Sequence, residues 1–184
     1  MTRDKIQALI NEFCDNSPLN YLGAKGASEE DVLANNYAKH NLYHRGITAD
    51  MLGADEDSGL MGMRFFQRPI FAIARADDPG FKEIQRPEVV GPHHLLPEDW
   101  LPGAKSVISF FLPYERATVE ANKKDPVEPA IEWIYTRVDG QRFLLALGAK
   151  IRDALIEAGY RAVAPYCDDR YIMQVNRNAA PGTE

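Results

Sequence analysis

Cysteine is scarce in this chain: Cys14 and Cys167 are the two thiols among 184 residues, and they stand at opposite ends. They form no CxxC pair, so neither a zinc ribbon nor a disulfide framework is encoded, and buried or free thiols are expected. Long apolar runs are lacking too. Val107 to Leu112 is only strand-length and is bounded by Pro102-Gly103 and Pro113, far short of the roughly 20 apolar residues that span a bilayer. The N-terminus mixes charge with apolar residues (Arg3, Asp4, Lys5, Ile6) and carries no apolar segment with a small-residue cleavage site; secretion is not supported, and a cytoplasmic location is expected. Basic clusters are missing as well. Lys123-Lys124 is followed at once by Asp125 and Glu128, and the formal net charge is -6. Nonspecific attraction to nucleic-acid phosphates or anionic lipid surfaces is thereby disfavoured.

The common nucleotide and nucleophile motifs have no match. Gly59-Leu60-Met61-Gly62-Met63-Arg64 lacks the P-loop spacing and its Lys-Ser/Thr ending. No G-x-G-x-x-G follows an expected strand, and no G-x-S-x-G elbow occurs, so ATP, a Rossmann dinucleotide and serine-hydrolase chemistry gain no support.

What is present is an ordinary globular composition. An apolar fraction of 45% with 26% charged residues predicts a packed core, and the length suits one domain. Within it we read an N-terminal helical segment and loop over 1–66 and an α/β core over 67–184.

Ile6, Leu9, Ile10 and Phe13 recur at helical spacing over Thr2 to Asn16, predicting a first helix that Ser17-Pro18 stops. Ser28-Glu29-Glu30-Asp31 has the composition of an N-cap and acidic first turn, predicting a second helix carrying Val32, Leu33, Tyr37 and His40 toward Gly46. Ile70 to Ala74, closed by Asp77-Asp78-Pro79-Gly80, predicts a central strand. Pro87 to Pro102 reads as an ordered irregular connection. Lys105 to Tyr114 is nearly continuous in apolar residues, which predicts a mid-sheet strand covered on both faces. A long amphipathic helix from about 129 to 158, with an interruption near Asp139-Gly140, ends at Gly159 as its C-terminal cap. Arg161 to Tyr166 predicts a further strand, pairing in parallel through a right-handed crossover. The fold class is α/β or α+β, a central mixed sheet flanked by helices.

Several residue groups carry possible chemistry. His40 and His44 stand four apart on the expected second helix, a spacing that allows a shared metal, but no third ligand can be named. His93-His94 lie in the proline-rich connection. Trp133-Ile-Tyr135-Thr-Arg137 places an aromatic hydroxyl and a guanidinium near the start of the long helix, a combination suited to a large planar ligand fringed with amides; plain helix packing is the alternative. Tyr166-Cys167-Asp168-Asp169-Arg170-Tyr171 follows an expected strand end, where open sheets place their sites, and an aspartate there could act as an acid. A turn or helix cap is the alternative there.

Three stretches in order resemble one family. Leu101-Pro-Gly-Ala-Lys-Ser-Val-Ile-Ser-Phe-Phe-Leu-Pro-Tyr114 is similar to the "PGAxSVI" strand of the epoxyqueuosine reductase-like iron-sulfur proteins. Tyr135-Thr-Arg137 resembles that family's "YARGRDYH" segment, and Gly159-Tyr160-Arg161-Ala-Val-Ala-Pro165 its glycine-tyrosine strand. The resemblance runs from about Ile70 to Asp169. It implies a corrinoid-binding front module, distantly like a flavin nitroreductase scaffold, followed by a ferredoxin-like module. It implies redox chemistry running from 4Fe-4S clusters through cobalamin to a substrate. Two departures stand out. Gly140, Gln141 and Arg142 replace the family's Asp-Tyr-His, and two cysteines cannot supply the four thiolates of a cluster.

The expectation is therefore the N-terminal portion of such an oxidoreductase, inactive alone and ending before the cluster module. Tyr135 would stack on the cofactor, Arg137 would contact an oxyanion or amide, and Asp169 would serve as acid or ligand-positioning group, with His93 as a further cofactor contact. The rival expectations are a flavin-binding nitroreductase-like protein and a non-catalytic module whose N-terminal helices and Trp133 form a homodimer surface.

Overall fold

The computed structural model describes residues 1–23, 59–168 and 170–171. The expected second helix, with His40 and His44, lies outside the described residues, as does Asp169. The elements are α1 (Arg3–Asn16), β1 (Ile70–Arg75), α2 (Gly80–Ile84), α3 (Pro97–Trp100), β2 (Ser106–Phe111), α4 (Arg116–Asn122), α5 (Ile131–Val138) and α6 (Gly140–Glu157), with single 3-10 turns at Pro18–Asn20 and Pro165–Cys167. The architecture is α+β. No helix among the described residues is long and apolar enough to cross a membrane.

Helix α1 forms where its apolar stripe predicts. The Thr2 side chain caps it by accepting from the Lys5 N–H, and Ser17 closes it while capping the following 3-10 turn. Its buried face is Ile6, Ile10 and Cys14, each aliphatic side chain contributing about 2 kcal/mol of transfer free energy. That face meets Leu22, Phe65, Phe66, Phe71 and Leu112, together with Phe143, Leu147 and Ile151 of α6. The core thus draws on residues from both sides of position 66.

The sheet among the described residues is a two-stranded antiparallel pair, with Ile70 opposite Phe111 and Arg75 opposite Ser106. Pairing continues irregularly beyond it: Phe66 bridges Tyr114, Gln67 donates to the Pro113 carbonyl, and Glu115 donates to that of Phe65. On the other side, Tyr21 bridges Arg64 and Phe65 donates to the Asn20 carbonyl. The segment 64–67 is therefore held from both sides.

Two strand expectations need correction. β2 is paired on one edge only among the described residues, and the apolar run is not covered on both faces: Ile70 and Phe111 are 65% and 64% exposed. Arg161 to Tyr166 forms no ladder. Its first four residues carry no regular structure and Pro165 opens a 3-10 turn, closed by hydrogen bonds from Cys167 and Asp168 to the Ala164 and Pro165 carbonyls. The reason is local. Proline has no N–H to give a ladder, and arginines on either side reach back to one short stretch, Arg161 to the Pro102 carbonyl and Arg170 to those of Asp99 and Trp100.

The long helix is present over Ile131–Glu157 and is interrupted at Asp139. Asp139 keeps right-handed helical torsions and donates its N–H to the Tyr135 carbonyl at 2.8 Å, so the axis bends rather than breaks. Gly159 ends it in the left-handed region (φ 84°), its N–H bonding the Ile156 carbonyl while Tyr160 bonds that of Leu155, as a C-terminal glycine allows. The proline-rich connection holds one helical turn, α3.

Candidate functional site

The bend of the long helix packs against Phe66. Gly140, the first residue of α6, presses its backbone against the Phe66 ring so closely that a Cβ there would lie 2.8 Å from two ring carbons. Phe66 in turn stacks on Phe143 at 5.8 Å and meets the Tyr114 ring edge-on at 5.5 Å. Tyr114 closes the strand stretch that resembles the family, and Arg137 stands one helical turn before Gly140. Burial pushes the Tyr114 phenol up, and the positive charge of Arg137 partly offsets this.

Tyr135 and Arg137 do not stand side by side. Residues two apart on a helix point to different faces, and between them Thr136 is fully buried, its hydroxyl donating to the Glu132 carbonyl at 2.8 Å. Tyr135 packs against the core, half-buried. Buried Thr136 closes the line between them, so the two side chains share no face there. Trp133 faces elsewhere again, lining a shallow hollow of about 340 Å³ with Asn122, Asp125, Pro126, Val127, Glu128 and Pro129. That volume sits at the small end of ligand sites and does not enclose a corrin ring.

His93 lies exposed on a separate loop, its ring turned over Gly91. Asp168, the described neighbour of Asp169, has a structural partner. Arg170 forks onto its two carboxylate oxygens at 2.8 Å each and stacks over the Trp100 ring with its guanidinium carbon 5.0 Å from the centroid. The arginine holds the Asp168 carboxyl below the usual aspartate range, which suits an ionised anchor rather than a proton donor at neutral pH.

Tyr114 is the residue that sequence reasoning passed over. It was visible as the last residue of the family-like strand, but its contact with Phe66 joins residues distant in sequence. Asn20 is a second such case, fully buried and bonded to the Phe66 backbone.

The donor set decides which cofactors fit. Phenols and a guanidinium suit carboxamide or carboxylate oxygens, such as those fringing a corrin. An iron-sulfur cluster does not fit this chain. Cys14 is buried, with its sulfur 3.5 Å from both Asn20 Nδ2 and Arg64 Nη2, while Cys167 lies after α6 against the Leu145 carbonyl. Burial pushes both thiols up, away from the thiolate form that metals take. Among the described residues no three histidine, cysteine or acidic side chains are grouped to hold a metal ion.

No protein-family model matches the chain, and neither the curated proteins nor the solved structures show a significant similarity to it.

Proposed function

We propose that this chain is the N-terminal, cofactor- or substrate-binding portion of an epoxyqueuosine reductase-like iron-sulfur oxidoreductase, inactive by itself because the cluster ligands lie outside it. What supports the reading is the order of the three family-like stretches along the chain, the third of which reaches the first through the Arg161 side chain, which donates to the Pro102 carbonyl at 3.0 Å. The ligand would be cobalamin, whose carboxamides suit Arg137 and tyrosine hydroxyls. Titrating the protein into cyanocobalamin and following the corrin absorbance tests this. A saturable spectral change at one corrinoid per chain is expected, and an unchanged spectrum at high protein excess would overturn it.

The homodimerising module without chemistry has one observation in its favour: Val127, Ile131 and Ile134 are exposed beside the hollow that Trp133 lines. Sedimentation across a concentration series separates the readings. A monomer throughout removes the dimer.

A further inference from the structure

We infer that the hollow lined by Trp133 is a binding site for a small organic cation, an alkyl- or quaternary ammonium head carried on a short apolar body. The inference is independent of the corrinoid reading and concerns a different part of the surface. The hollow lies between the end of α4 and the start of α5, and its volume of about 340 Å³ holds such a head with its body.

Its chemistry is one-sided. The carboxylate residues Asp125 and Glu128 line it with the Trp133 indole and with Pro126 and Pro129, and among the described residues no basic side chain does. The nearby Lys123 is turned to Glu120, with Nζ 2.9 Å from Oε1. An indole face attracts a cation through its quadrupole, and carboxylates beside it add to that attraction. An anion would be repelled, and an uncharged ligand would gain the apolar contact alone. The chain uses its other indole in this way: the guanidinium carbon of Arg170 stands 5.0 Å from the centroid of the Trp100 ring.

The walls are set before any ligand arrives. Asn122 Oδ1 accepts from the Ala130 N–H at 2.9 Å and clasps the loop at its two ends, while Asp125 Oδ1 accepts from the N–H groups of Val127 and Glu128 at 2.8 and 3.2 Å. Those two bonds hold the Asp125 carboxyl below the usual aspartate range, so it is ionised at neutral pH. Pro126 and Pro129 fix their own φ, and Trp133 is half-buried in the first turn of α5. Little freedom is therefore lost on binding.

The test uses the full chain with Trp100→Phe, which leaves Trp133 as the one indole, and follows its fluorescence against choline and against 3,3-dimethyl-1-butanol, the uncharged analogue of the same shape. Saturable change with choline at a Kd in roughly the millimolar range, and none with the alcohol, is the expected result. Asp125→Asn keeps an oxygen for the two N–H groups and Glu128→Gln keeps the side-chain shape, so the double variant should retain the fold by circular dichroism and bind choline about tenfold more weakly. Equal response to choline and the alcohol would overturn the cation site, as would equal choline binding by the double variant or no saturable change up to about 0.1 M choline. Nα-acetyl-lysine methylamide, titrated alongside, separates the two sources of such a head. Tighter binding than choline supports the site with a partner's lysine side chain as its occupant, and weaker binding supports it with a free quaternary cation.

Discussion

The side-chain amide of Asn20 pairs with both backbone polar groups of Phe66, accepting from its N–H at 3.0 Å and donating to its carbonyl at 3.0 Å. It also donates to the Cys14 carbonyl at 3.1 Å. One buried side chain thereby ties the end of α1 to the residue on which Gly140 and Tyr114 converge, standing in for a missing strand neighbour.

Asn20→Ala would strand these backbone groups in the core. With unsatisfied buried groups costing roughly 1–3 kcal/mol each and some relaxation, a loss of about 3 kcal/mol is expected. Urea unfolding followed by circular dichroism measures it. A loss within the scatter of surface substitutions would mean that the Phe66 platform is not held from this side.

Gly140→Ala reverses a general rule. Replacing a mid-helix glycine by alanine ordinarily stabilises by up to about 1 kcal/mol, but here the new methyl would meet the Phe66 ring at 2.8 Å. Overpacking of this kind costs about 1–3 kcal/mol, so the melting temperature should fall. Gly148 in the same helix is the control, since a Cβ there meets nothing within 4 Å. Gly148→Ala should raise the melting temperature. Equal behaviour of the two variants would contradict the close approach.

Acid should weaken the tie between α1 and the 64–68 segment. Arg68 forks onto Asp15, with Nη2 at 2.6 Å, and Arg64 reaches the same carboxylate at 3.3 Å. The Arg68 hydrogen bond, with help from Arg64, holds the Asp15 carboxyl below the ordinary value of 3.8. A folded-state value below the unfolded one means that this stabilisation is complete above 3.8 and is lost as pH falls from there through the lower folded value. Asp77, Asp125 and Asp168 are shifted the same way, so Arg68→Ala should make the acid limb of a stability curve shallower without flattening it. An unchanged limb would show the pair to be solvent-screened.

Much of this fold could be read from the chain, because the signals were local. The stripe of α1, the runs that became β1 and β2, and Gly159 at the end of the long helix each depend on neighbours in sequence. The expected strand from Arg161 failed because distant carbonyls at Asp99, Trp100 and Pro102 capture Arg161 and Arg170, and because Pro165 turns the chain. Of the expected site, Arg137 could be placed on its helix, but the contact of Tyr114 with Phe66 could not be found, since it is tertiary.

Calorimetric titration of the chain with cyanocobalamin, run beside flavin mononucleotide, tests the central claim most directly. Saturable heat at one cyanocobalamin per chain, with none for the flavin, is the predicted result. Stoichiometric flavin binding, or no heat with cyanocobalamin at concentrations well above those of the chain, would contradict it.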